Sequence, residues 1–424
     1  MSLTGIQLTA LSLALLVCSP VRADNTQQPT ARPAIVLALK NSVATQAYGG
    51  VGMLLSRSCP NGRCGVFATC SLVLVAPDVV VTAAHCVENP NKDYWVFLPG
   101  AGLTRVAPGG VTRFCDGKAD CDPVTGDLAS LRLSERLRGI EPIPRSTRLP
   151  PTGRMVGYGD SNPSLPDNGI LKQATVPIDG CEPQTLCYRF DRDSPAACNH
   201  DSGGPMLSIG PGVEGVAGPA MPGLIGLARQ SESNCTEGLG TYTRVTGAWV
   251  DDWWRANVGS DGVESDRLAP AASRPVLETD CSNQTCWLSA PGDIIRYRFQ
   301  VSARSPPGPA PSLPASNLPT TYLNQEPHLN REPNAETRLI VTMNYALRSD
   351  SSGCTDASVD SCIVDYDLAL AGPDGSVAAE CRCENSFHQV SVCSCPLTSQ
   401  GEWTAIIKRV ANRGPFQLQG RLLQ

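Results

Sequence analysis

Charge is scarce in this chain: Asp, Glu, Lys and Arg make up 17% of its 424 residues, and acids and bases mix to a net charge of −6. Neither nucleic acid nor an anionic membrane is expected as a partner, because both select for a basic surplus. Aromatic residues reach only 5% and histidines number four, so chemistry that needs an imidazole has few candidates. The apolar run Leu8–Val17 falls short of the about 20 residues that span a bilayer, so no transmembrane anchor is expected. No internal repeat is present.

Apolar residues are sufficient. At 41% hydrophobic the chain can bury ordinary cores. Its 39 glycines and 36 prolines point to many turns between short strands rather than to long helices. Leu8–Val17 followed by Val21-Arg22-Ala23 reads as a signal peptide over residues 1–23, cut before Asp24, which implies export. With Cys18 in that leader, nineteen cysteines leave eighteen, an even number that in an exported chain predicts disulfides. They fall into close pairs: Cys59/Cys64, Cys70/Cys86, Cys115/Cys121, Cys181/Cys187, Cys198/Cys235, Cys281/Cys286 and Cys354/Cys362. The remaining four, Cys381, Cys383, Cys393 and Cys395, either staple a hairpin with two bridges or bind zinc, and the hairpin is the preferred reading.

Four segments follow the leader in order. Residues 24–34 suit a short propeptide, and 35–257 alternate short apolar runs with turns, an all-β pattern. That stretch ends where Trp249, Val250, Trp253 and Trp254 fall at helical spacing. Residues 258–275 are a polar linker, and 276–424 hold a second set of strands, interrupted by a Pro-rich loop at roughly 303–336.

Three segments carry the chemistry: VTAAHC with His85, GDLASLRL with Asp127, and CNHDSGGP with Ser202. A hydroxyl is a poor nucleophile at neutral pH, so it needs a base, and the base needs a buried carboxylate to orient it. In this order the three segments resemble the chymotrypsin/trypsin-like serine peptidases over about residues 35–257, and GTYTRV (240–245) resembles a strand of that family. The resemblance implies an all-β fold, a double six-stranded antiparallel β-barrel with a C-terminal helix, and bridges Cys70–Cys86 and Cys198–Cys235. It implies His85, Asp127 and Ser202 as catalytic residues, with the amides of His200 and Ser202 as the oxyanion hole. The family places glycine where this chain has His200, and a Ser-Trp-Gly strand where it has Arg229-Gln230-Ser231. Ala196, Ser231 and Gly240 become the specificity pocket; with Ala196 in place of the trypsin aspartate, small to medium neutral side chains are expected after the scissile bond. Cleavage after Ala34 would free Ile35 to pair with Asp201.

Residues 365–377 and 401–419 resemble bacterial pre-peptidase C-terminal domains, which implies a β-sandwich; Asp365, Asp367 and Asp374 read as turn and strand-edge residues rather than a calcium site. The expectation is a secreted, monomeric serine endopeptidase acting on proteins or peptides without metal or cofactor. Its rival is a catalytically impaired binding or adhesion module, for which His200 and the altered strand argue.

Overall fold

The computed structural model describes residues 39–58, 65–89, 92–146, 149–161, 168–208, 222–259, 275–281, 292, 294–301, 337–346, 364–385, 387–397, 399–411 and 414–423. Ile35, Cys59, Cys64, Cys286, Cys354, Cys362, the side chain of Cys281 and the 303–336 segment lie outside them.

The first barrel closes on itself: Val51–Ser58, Gly65–Ala76, Val79–Thr82, Ala129–Leu133, Gly102–Arg113 and Tyr94–Leu98, each antiparallel to the next. The second is an eight-stranded sheet running Val43–Ala44, Lys172–Pro177, Thr152–Gly157, Pro205–Ser208, Leu224–Ser231, Gly238–Arg244, Thr185–Phe190 and Asp179–Gly180. Together with the first barrel this is the two-barrel arrangement expected from sequence, and Asp179–Gly180 pairs with Thr185–Phe190 at its edge. The helix Ala248–Asn257 follows, burying Val250, Trp253 and Trp254 as their spacing predicts.

The C-terminal residues form a five-stranded sheet (Pro275–Cys281, Phe416–Leu423, Arg338–Tyr345, Val390–Pro396, Arg382–Glu384) facing a three-stranded one (Ile294–Val301, Gly401–Ala411, Asp365–Ala371). Leu339, Val341, Met343, Leu368, Trp403 and Phe416 fill the space between them. The strand Arg338–Tyr345 is buried on both faces. Its alternate residue Ile340, with Val390 and Val392, joins the core of the barrels instead. Residues Ile35–Gln424 therefore make one compact unit. Among the described residues no helix is long and apolar enough to cross a membrane.

Six bridges lie among the described residues: Cys70–Cys86, Cys115–Cys121, Cys181–Cys187, Cys198–Cys235, Cys381–Cys395 and Cys383–Cys393. The last two staple a hairpin in which Cys383 sits opposite Cys393, so these sulfurs are spent on disulfides and not on zinc. Asp374 accepts from the amide and hydroxyl of Ser376, closing its own turn.

Candidate active site

His85 sits on the single 3₁₀ turn Ala84–Val87, directly before the cysteine that ties this turn to the strand Gly65–Ala76. Asp127 immediately precedes the strand Ala129–Leu133 and is buried, 4% exposed. Its two oxygens have separate tasks. Oδ1 accepts the His85 backbone amide at 2.9 Å, and Oδ2 meets His85 Nδ1 at 2.7 Å. One carboxylate thereby fixes both the turn and the ring, and it leaves Nε2 as the ring atom free to exchange a proton.

Burial works against a charge on His85, but the hydrogen bond and the charge of Asp127, helped by Glu88, outweigh it and hold the ring above its ordinary pKa. A general base must be neutral, so kcat/KM is expected to rise with pH through a midpoint above about 6.5. A pH–rate profile checks this; a midpoint below that value contradicts it. The linked stability has the opposite slope: it is fully present below the unfolded-state value and is lost as pH climbs through the folded-state one.

Ser202 follows on the turn before Pro205–Ser208. Its carbonyl accepts the Ser71 amide at 2.9 Å and lies 3.8 Å from the sulfur of Cys86, the neighbour of His85. Among the described residues Ser202 Oγ has no hydrogen-bond partner; bonds from such a hydroxyl to its base are often long until substrate closes the site. The following Gly203 has φ +78°, and a Cβ there would lie 1.9 Å from Thr82 Oγ1, so only glycine completes this turn.

The turn before Ser202 is tied down by its carbonyls. Asn199 O accepts the Asp160 amide at 2.9 Å, His200 O accepts Ser71 Oγ at 3.0 Å, and Ser202 O is held by Ser71 as above. A trans peptide points its N–H opposite its C=O. With the Asn199 carbonyl directed at Asp160, the His200 amide of the same peptide faces the other way. His200 stands at φ +70°, the left-handed region that histidine enters more readily than most side chains. Its ring Nδ1 lies 3.3 Å from Asp160 Oδ2 and 3.1 Å from Asn168 Nδ2, donating to the carboxylate when protonated and accepting from the carboxamide when it is not. Burial opposes charge on this ring too, but Asp160 outweighs it and raises the pKa. A non-glycine residue is thus accommodated in this place.

Asp201 is buried at 1% exposure and accepts the amides of Gly159 at 2.8 Å and Cys198 at 2.9 Å. Burial pushes its pKa up to about 7 against those bonds and the nearby Lys172 ammonium. Ile35, its expected partner, is outside the described residues. The first described residues, Leu39 and Lys40, are buried, and Lys40 pairs with Ala196.

A cavity of about 180 Å³ opens beside Ser202, walled by Asn199, Ala228, Arg229 and Ser231 and closed by Cys198 and Cys235. Of the expected pocket residues only Ser231 lines it. Ala196 is fully buried, and Gly240 is covered by a residue the sequence did not single out, Tyr188. The two face each other across neighbouring strands, and a Cβ on Gly240 would lie 2.1 Å from Tyr188 Cζ. The Tyr188 hydroxyl accepts the Ala197 amide at 2.8 Å and approaches Ser231 Oγ at 3.5 Å. The ring therefore lies buried behind the Ala197 and Ser231 walls and does not itself line the cavity. Burial pushes its pKa up to about 12, so it stays neutral.

A wider cleft of about 490 Å³ lies on the other side of His85, along Arg113, Val124 and Arg229. Arg229 stands where the family's serine would support Asp127, and its Nη1 instead donates to Val124 O at 3.0 Å.

The residues missed from sequence are Ser71, Asp160, Asn168 and Tyr188. None carries a local signal, since each acts through a tertiary contact.

Comparison with known proteins places a match to the Trypsin family model over residues 51–253, the two barrels and most of the helix. Among curated proteins, mouse "Serine protease 56" is 27% identical over 56% of this chain and 41% of its own length. "Cercarial protease" of Schistosoma mansoni is 28% identical over 37% of this chain and 74% of its own length. "Mast cell protease 2" of Meriones unguiculatus is 25% identical over 34% and 66%. The chain thus spans under half of the first of these relatives, and the matched segment is trypsin-like.

Proposed function

We propose that this chain is an exported serine endopeptidase that cleaves after small to medium neutral residues through an acyl-enzyme on Ser202. One observation carries the reading: Asp127 holds His85 by two bonds, and Ser202, whose carbonyl lies 3.8 Å from the sulfur of His85's neighbour Cys86, keeps an Oγ with no partner among the described residues. In the proposed reaction Ser202 Oγ attacks the scissile carbonyl while His85 Nε2 takes its proton. The oxyanion forms between the His200 and Ser202 N–H groups, and His85 then returns the proton to the leaving amine. Water repeats the sequence on the acyl-enzyme. Asp127 orients and stabilises the imidazolium. The bridges among the described residues suit an oxidising compartment, in keeping with export.

The preference rests on the cavity's lining, which includes Arg229 and no acid. A Lys or Arg side chain would meet a like charge and no anion, and Tyr188, buried behind Ser231, limits the depth open to a large aromatic. Profiling a peptide library is expected to show cleavage after residues such as Ala, Ser or Val. Tyr188→Ala is expected to raise the kcat/KM ratio for large apolar over small residues by about 10-fold or more. Cleavage after Lys or Arg by the parent protein would overturn the specificity assignment.

A further inference from the structure

Asn168 and Asp160 hold the His200 ring, and Asn168 itself is held from the C-terminal sandwich. Gln389 follows the stapled hairpin's tip and precedes the strand Val390–Pro396; it is fully buried, with φ +73°. Its Oε1 accepts the backbone amide of Ala68 at 3.1 Å. Its Nε2 donates to the Asn168 carbonyl at 3.1 Å and to Asn168 Oδ1. Asn168 Nδ2 in turn donates to Asp160 Oδ1 at 3.0 Å and meets His200 Nδ1 at 3.1 Å, and the Asn168 backbone N–H adds a second bond to Asp160 Oδ1 at 3.0 Å.

Donor and acceptor roles along this path are fixed by backbone groups, which cannot exchange them. The Ala68 N–H can only donate, so the Gln389 atom facing it is the oxygen. The Gln389 nitrogen must then face Asn168, whose carbonyl can only accept. The Asn168 atom beside that nitrogen is its oxygen, and its own NH₂ is turned to Asp160 and His200. The Asp160 carboxylate, which only accepts, favours the same orientation, so Gln389 and Asp160 fix the two ends of the Asn168 carboxamide in one sense. The neighbouring contacts are of one kind: Asn344 Nδ2 donates to Gly169 O at 2.8 Å, and Gln417 takes the Leu171 amide at 3.0 Å while donating to Thr45 O at 3.1 Å. Three buried carboxamides from one sheet therefore grip residues 168–171, and only the Gln389 contact continues to the turn before Ser202.

We propose that Gln389 is a positioning residue of the active site, through which the C-terminal sandwich orients Asn168 and so holds Asp160 and the His200 turn of the oxyanion hole. The sandwich is on this account part of the catalytic unit rather than an appended module. The inference rests on the serine-peptidase reading above for its kinetic readout, but not for its spectroscopic one.

The test uses the full chain. Gln389→Glu is nearly isosteric and keeps the acceptor for Ala68 N–H, but it sets a carboxylate against Asn168 O and Oδ1, so the Asn168 amide is driven to flip. The expected result is a fall in kcat of about 10-fold or more with KM within twofold, because oxyanion contacts act on the transition state. Asn168→Ala is expected to give a similar fall, and the double variant no further one, the non-additivity of residues on one path. Thr342→Val removes the bond from Gly100 N at 3.0 Å elsewhere in the same interface; it is expected to lower Tm and leave kcat unchanged. Independently of turnover, the ¹⁵N shifts of the His200 ring are expected to report Nδ1 as an acceptor in the neutral parent ring and to change in Gln389→Glu. Unchanged kcat and unchanged His200 shifts in Gln389→Glu would overturn the proposal, as would equal losses in Thr342→Val. An inactive parent with responsive His200 shifts would sink the peptidase reading and leave the brace standing. If Gln389→Glu does not fold, Asn168→Ala against Thr342→Val decides by the same readouts.

Discussion

Ser202→Ala is expected to lower kcat by about 10⁶-fold, the loss seen when the nucleophile of such a constellation is removed. The fold gives no reason for collateral damage. Among the described residues Ser202 Oγ holds no hydrogen bond, and the residue's structural contact, its carbonyl on the Ser71 amide, belongs to the backbone. Alanine preserves that contact and the turn closed by Gly203. The expected picture is therefore an unchanged Tm with turnover gone, measured on the best peptide from a library screen. Loss of Tm together with activity would mean that the serine serves the fold, and retained activity would move the nucleophile elsewhere.

Asp127→Asn comes next in size, at about 10⁴-fold in kcat. Both carboxylate oxygens accept from the same residue, one from the His85 amide and one at Nδ1. A carboxamide can satisfy only one of these donors and must turn its NH₂ toward the other. Turned to Nδ1, it forces the proton onto Nε2, the nitrogen that should accept from Ser202. Arg229 stands where the resemblance implies a supporting serine and points its Nη1 at Val124 O, so among the described residues the two bonds to His85 fix the carboxylate. The substitution also removes the charge that raises the His85 pKa while burial, which lowers it, stays. The residual pH–rate midpoint is thus expected to shift downward. An upward shift, or a loss under 10-fold, would contradict the assigned role of Asp127.

How far these features could be read in advance depends on their range along the chain. The catalytic segments are local words: VTAAHC, GDLASL and DSGGP each combine a reactive side chain with the small residues its turn requires, and Gly203 shows why. The terminal helix was visible because Trp249, Val250, Trp253 and Trp254 fall at helical spacing on one face. Tyr188 was not visible, since TLCYRF reads only as a buried strand. Its ring comes to cover Gly240 through strand pairing, some fifty residues away.

The C-terminal strands misled in a different way. In Phe416-Gln417-Leu418-Gln419 the alternation looks like one buried face and one wet face. The glutamines are in fact buried, at 2% and 3% exposure. Gln417 donates to the Thr45 and Leu171 carbonyls and Gln419 to that of Gln46, across the contact with the barrels. Period-two patterning distinguishes apolar from polar positions, but it does not distinguish water from another polar surface. That is why the sandwich read as an appendage when its carboxamides reach the loop behind the oxyanion turn.

Labelling with a fluorophosphonate, read by intact mass with Ser202→Ala as the control, tests the central claim most directly. The account predicts one adduct on the parent chain, located on Ser202 by fragmentation, and none on the variant. A folded parent that takes up no label, or equal labelling of parent and variant, would contradict it.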